Sequence, residues 1–150
     1  MSDRAEAYLK TQVLTARPEQ LTLMLLDGAI RFAQKGRQCL LEKNYEGSFE
    51  ALSRAEQIVM ELLNGLRPEA APDLCRRQAG LYMFVYRQLV EANMTRTTEP
   101  LDGALKILDT LRETWLLLLE KLQAEGARQA QEGQGEMQAV PAATALSIQG

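Results

Sequence analysis

The sequence predicts an all-α protein: an antiparallel up-down four-helix bundle with an N-terminal arm and a disordered C-terminal tail. Three observations predict it. Leucine dominates the apolar residues, with 25 Leu against 5 Val and 4 Ile, and only 8 residues are aromatic. Leucine favours helix, whereas a strand-rich chain draws on Val, Ile, Thr and aromatics. Prolines and glycines then divide the middle of the chain into four blocks, each about 20 to 25 residues or roughly 30–37 Å at 1.5 Å per residue. Within each block, apolar residues recur at steps of three and four. A chain of 150 residues suits one domain with one core.

Residues 1–17 form a mixed arm with Tyr8, Leu9, Val13 and Leu14. Pro18 opens the first block, which runs from Glu19 to about Glu42. Proline is tolerated at a first helical position because its missing N–H would be unpaired there anyway. The second block follows Asn44, a good N-cap, and carries the stripe Leu52, Ala55, Val59, Leu62 and Leu66. Pro68 and Pro72 interrupt the chain, and the third block spans Pro72 or Asp73 to Ala92. Its stripe is Leu74, Gln78, Leu81, Val85, Leu89 and Ala92, and Asn93 suits its C-terminal turn. The fourth block begins near Pro100, with Thr98 as cap, and runs to about Glu125. Leu101, Ala104, Leu108, Leu111, Trp115, Leu118 and Leu122 give it an unbroken stripe. Short connections make neighbouring helices antiparallel. Residues 126–150 are rich in Gln, Ala and Gly and lack aromatics, so they bury little and read as a disordered tail with a frayed helical start. The organisation is an arm capping the bundle at 1–17, the bundle at 18–125 and the tail at 126–150.

The composition excludes most catalytic chemistry. With no histidine, a Ser-His-Asp triad, a Cys-His dyad, a His-ligated zinc or haem and a Glu-x-x-His di-iron site are all unavailable. Glu99, Asp102 and Asp109 read as a solvated face and first-turn dipole compensation. No GxxxxGK[ST] phosphate loop occurs. The expectation is a protein without enzymatic activity, metal or cofactor. Net charge is −3, and Arg76–Arg77 is the one adjacent basic pair, so no nucleic-acid partner is expected. The longest uncharged apolar stretch, Ala79–Tyr86, falls far short of the roughly 20 residues of a membrane span. Asp3, Arg4 and Glu6 leave no apolar signal region. Cys39 and Cys75 read as reduced thiols in a cytoplasmic protein, with a disulfide between them as the alternative.

Two blocks are more apolar than one stripe requires. Between Leu21 and Ala33, nine of thirteen residues are apolar. Leu21, Leu25, Gly28 and Phe32 make one face, and Leu23, Leu26 and Ile30 make a second. In the third block, Tyr82, Met83, Tyr86 and Val90 adjoin the stripe. These positions either widen the core or form a groove for an apolar partner, because a large unused apolar patch is rare on a soluble monomer. Met24, Met60, Met83 and Met94 suit an adaptable surface as well as a core. Tyr8 reads either as a stray aromatic or as a movable shield over the groove. The expected partner-binding set is Tyr8, Leu23, Leu26, Ile30, Tyr82, Met83 and Tyr86.

The stretch Tyr8–Phe32, YLKTQVLTARPEQLTLMLLDGAIRF, resembles the N-terminal signature of the flagellar secretion chaperone FliS family. That signature is a Tyr, then T-A-S-P, then a helix like L-x-L-M-L-Y-D-G-A. Asn44-Tyr45-Glu46, AEQIVMELLN at Ala55–Asn64, LYMFVYRQLVEAN at Leu81–Asn93 and Trp115 continue the match in order. The resemblance covers about residues 8–123. It departs at Arg17, where the family has Ser, and at Leu26, where it has Tyr. It implies a four-helix bundle in the cytoplasm that binds the disordered C-terminal segment of flagellin. Such a protein prevents premature polymerisation and supports export by the flagellar type III secretion apparatus, with export-gate components as further partners. The free protein is then a monomer or weak dimer, without membrane insertion. The alternative is a self-associating structural bundle or adaptor without a flagellin client.

Overall fold

The computed structural model describes residues 2–15, 17–69 and 71–149, and the side chains of 3–11, 17–69 and 71–134. Five helices follow in order: α1 Ser2–Thr15, α2 Pro18–Leu41, α3 Tyr45–Asn64, α4 Pro72–Thr95 and α5 Glu99–Gln149. The chain forms two units, Met1–Trp115 and Leu116–Gly150. The first contains the bundle of α2, α3, α4 and the opening turns of α5.

Local chemistry sets the helix ends. Pro18 is the first residue of α2, and Gln20 accepts the Arg17 backbone N–H at 3.0 Å. A guanidinium has no acceptor, so Arg17 cannot return that bond with its side chain and half a capping box forms. Thr15, the other candidate cap, lies outside the described side chains, as do Val13 and Leu14. Asn44 caps α3 as expected, its side chain accepting the Gly47 N–H at 3.0 Å. Helix α4 runs past Ala92 to Thr95, and Arg96 takes the left-handed position (φ 56°) that closes it. The Arg96 guanidinium stacks over Tyr45 at 4.4 Å, which offsets part of the cost of that conformation. Asn93 is therefore inside the helix rather than at its end, and donates to Ser53 and Glu56 of α3 at 3.5 Å.

Cross-helix pairs fix the antiparallel order. Gly28 faces Ile58 and Gly36 faces Leu52, so α2 and α3 run oppositely. Tyr45 meets Arg96 and Ser53 meets Asn93, which reverses α4 against α3. Arg112 pairs with Asp27, and Arg37 pairs with Asp102 at 3.3 Å, which reverses α5 against α2.

One stripe per helix fills the core. Leu26, Ala29, Ala33 and Leu40 come from α2, and Leu52, Ala55, Val59 and Leu62 from α3. Tyr82, Val85, Leu89 and Ala92 come from α4, and Leu101, Ala104, Leu108 and Leu111 from α5. The α3 stripe agrees with the sequence pattern, as does that of α5 through the half-buried Trp115. Helix α2 is rotated from the expectation, whereas in α4 the expected stripe holds at Val85, Leu89 and Ala92 and departs at Leu81, whose place Tyr82 takes. Leu26 and Tyr82, expected on the outer face, are 0% and 1% exposed, while Leu81 is 37% exposed. The α2 stripe is built largely from Ala29, Ala33 and Gly36, which a pattern read through leucines passes over. In α4, starting at Tyr82 gives the same steps of three and four as starting at Leu81 and Val85.

Within the second unit, α5 continues as helix to Gln149, where the sequence suggests an end near Glu125 and an unstructured tail. Ala, Gln, Glu and Arg favour helix there, while Gly126, Gly133, Gly135 and Pro141 in the same stretch oppose it. The described side chains of 126–134 are exposed apart from the half-buried Gly133.

Two glycines test this packing in opposite directions. A Cβ on Gly36 would lie 2.5 Å from Leu52 Cδ2 and 2.7 Å from its Cγ, and Leu52 is fully buried. Gly36→Ala is expected to destabilise by about 1–3 kcal/mol through overpacking. A Cβ on Gly80 meets nothing within 4 Å, so Gly80→Ala is expected to stabilise by about 1 kcal/mol through helix propensity. Denaturant midpoints of both variants check the pair.

Candidate functional site

Helix α4 carries more apolar surface than the core can take. Its inner stripe begins at Tyr82, and apolar residues flank the stripe on both sides. On one flank, Leu74, Leu81 and Phe84 are exposed. The Phe84 ring lies along Gly103 of α5, 3.7 Å from where a Cβ would stand, so the small residue seats the ring. On the other flank, Met83, Tyr86 and Val90 are half-buried and Met94 is 78% exposed. Steps of three and four place Met83, Tyr86, Val90 and Met94 on one line. Tyr86, Val90 and Met94, with Arg87, Glu91 and Thr95, line a shallow groove of about 230 Å³. Its apolar floor suits an apolar side chain, and its rim carries one charge of each sign.

The expected partner-binding residues fall into four places. Met83 and Tyr86 lie on the outer line of α4. Leu26 and Tyr82 are core residues and have no outer face to offer. Leu23 and Ile30 are half-buried on the flank of α2 that also carries Asp27 and Arg37. The pairs Asp27–Arg112 and Arg37–Asp102 bracket Ile30, so that seam is bridged by polar side chains. Tyr8 is 65% exposed on α1, where every described side chain from Asp3 to Thr11 is exposed. The expected set leaves out Phe84, and also Met94, which the sequence marks only as suited to an adaptable surface. Met94 was legible at two steps of four beyond Tyr86, but Phe84 faces outwards only once Tyr82, rather than Leu81, is placed inside.

Two titratable groups border these elements. Burial pushes the Glu56 carboxyl above the usual glutamate range, and the hydrogen bond from Asn93 pulls it part of the way back. Burial also raises the Tyr82 phenol, against a smaller opposing effect of the neighbouring Trp115 indole. The buried Trp115 Nε1–H nevertheless reaches no acceptor in hydrogen-bond geometry. Among the described residues, no group of His, Cys, Asp and Glu could hold a metal ion, and no helix is long and apolar enough to cross a membrane. Cys39 is buried, Cys75 is half-buried, and both are free thiols.

Residues 1–121 match the family model described as flagellar protein FliS. The chain belongs to the FliS family. It is 31% identical over 109 residues to the flagellar secretion chaperone FliS of Bacillus subtilis, across 73% of this chain and 80% of that one. It is 27% identical over 125 residues to the Salmonella typhimurium FliS, across 83% and 93%. A crystal structure described as a flagellar chaperone from bacteria superposes with a TM-score of 0.66 at 23% identity, over 79% of this chain and 98% of its own, and supports the shared fold. In this FliS-family chain, Leu26 stands in the core, so its departure from the family's Tyr alters the interior rather than an outer contact.

The raised Glu56 carboxyl is expected to make stability depend on pH. Its carboxyl is protonated in both folded and unfolded states at acid pH. As pH rises through the ordinary glutamate range, the folded state must ionise a desolvated group, and stability falls. Glu56→Gln keeps an acceptor for Asn93 and removes that penalty. The variant is expected to be more stable than wild type at neutral pH and to lose the advantage below the glutamate range, as read from paired melting curves.

Proposed function

We propose that this chain is a cytoplasmic secretion chaperone, without enzymatic activity, for the disordered C-terminal segment of flagellin. It keeps that segment from polymerising and presents it to the flagellar type III export apparatus, whose gate components are the further partners. The observation that carries this reading is the two-sided apolar surface of α4, with Met94 exposed beside a groove, in a family whose relatives are named flagellar secretion chaperones. A client segment that forms a short helix would lay an i, i+3, i+4 face along Met83, Tyr86, Val90 and Met94. Extended linkers between such helices would let the client continue around the bundle. Ordering the client costs roughly 2–5 kcal/mol of the gross interaction energy, and the surface buried would be about 1,000–3,000 Å². Arg87 and Glu91 on the rim give the client polar points that fix its register.

Calorimetry with a flagellin C-terminal peptide tests the proposal. One-to-one binding at micromolar concentration is expected. Met94→Glu places a charge in the contact while leaving the core intact, and is expected to weaken binding by about tenfold, roughly 1.4 kcal/mol, with little change in melting temperature. No binding, or a tight dimer that the peptide does not dissociate, would favour the self-associating bundle instead.

A further inference from the structure

The outer seam between α2 and α3 holds an aromatic ring under two guanidiniums that form no ion pair among the described residues. Phe32 is half-buried and packs on the core from α2. Arg31, beside it on α2, sets its guanidinium carbon 5.3 Å from the ring centroid. Arg54, from α3, sets its own at 5.6 Å. Both arginines are exposed. Among the described residues, the ion pairs are Arg37–Asp102, Arg76–Asp73 and Arg112–Asp27, and none includes Arg31 or Arg54.

This positive pair is not explained by a shortage of carboxylates nearby. Each arginine has an acidic residue one helical turn before it, at a spacing that favours pairing. For Arg31 that residue is Asp27, which is engaged by Arg112 of α5. For Arg54 it is Glu50, yet Arg54 rests on the Phe32 ring instead. Lys35, one turn beyond Arg31, adds a third exposed cation. A local positive excess of this kind runs against the net charge of −3. A guanidinium stacked on a ring keeps its in-plane N–H fork available to an oxygen acceptor.

We infer that the Arg31–Phe32–Arg54 cluster is a docking site for an acidic segment of a protein partner. Two carboxylates about one helical turn apart take the two guanidiniums, and an apolar side chain between them packs against Phe32. The site lies on the α2–α3 face, apart from the α4 groove, and does not depend on what that groove binds. A nucleic acid fits it less well. Phosphate-backbone affinity grows with the number of phosphates neutralised, and three cations on a net-negative chain neutralise few.

The test uses the full chain and a fluorescently labelled, alanine-based helical peptide with two glutamates one turn apart flanking a leucine. Anisotropy titration is expected to give saturable binding that weakens as salt is raised. The double variant R31A/R54A is expected to lose at least about tenfold in affinity. The double variant R31K/R54K retains the charge but lacks the planar fork, and is expected to fall between the two. A peptide with Gln in place of Glu should not bind, and binding of the flagellin peptide should be unchanged. Absence of saturable binding to the acidic peptide, or equal binding by R31A/R54A, overturns the inference. Tighter, equally arginine-dependent binding of a DNA oligonucleotide also overturns it, in favour of phosphate. Circular dichroism verifies the fold of each variant. If the alanine pair does not fold, the lysine pair decides, and unchanged affinity there counts against the site.

Discussion

The interior of this bundle has room for one stripe of side chains per helix, because α2 and α3 approach closely through glycine. Gly36 lies where any Cβ would run into the fully buried Leu52, and Gly28 lies against Ile58. Ala29 and Ala33 continue the same narrow line. With the space set by small residues, every further apolar side chain must find a place outside the core. That constraint turns a leucine-rich composition into exposed surface of a particular shape. Among the described residues, the largest side chain fully inside is Tyr82 of α4.

The four helices therefore present different chemistry at their outer seams. Between α2 and α5, two ion pairs bridge the surface around Ile30. These pairs are substantially exposed, and exposed pairs contribute little stability each. Their clearer effect is to hold the antiparallel register and to cover an apolar strip with polar groups. Between α2 and α3, cations surround a half-buried ring. Along α4 the surplus remains apolar, with Phe84 on one flank and Tyr86, Val90 and Met94 on the other. A binding protein for a flexible apolar client needs a rigid core and an uncovered apolar face, and α4 supplies both from adjacent residues.

The four bundle helices α2 to α5 and their order were legible in the sequence because proline, the Asn44 cap and three–four periodicity are local signals; helix α1 and the continuation of α5 beyond Glu125 were not. The inner stripes of α3 and α5 were legible for the same reason. The rotation of α2 was not, nor was the exchange of Tyr82 for Leu81 in an α4 stripe otherwise legible at Val85, Leu89 and Ala92. A stripe containing Gly36 and Ala33 has little apolar weight, although it fixes the closest approach between helices. Leu81 and Tyr82 are adjacent, and local spacing allows either to face inwards; only packing against three other helices decides between them. That decision moves Leu26 and Tyr82 from candidate contacts into the core, and brings Phe84 and Met94 to the surface. Charged clusters that depend on two helices, such as Arg31 with Arg54, carry no sequence signature because the residues are far apart in the chain.

The central claim is that the outer face of α4 receives the client while the core stays intact. Methionine-methyl NMR reads this directly, since Met83 and Met94 lie on that face and Met24 lies on α2. On titration with the flagellin C-terminal peptide, the account predicts that the methyl resonances of Met83 and Met94 shift to saturation while that of Met24 does not. Shifts confined to Met24, with Met83 and Met94 unchanged at saturation, would contradict it.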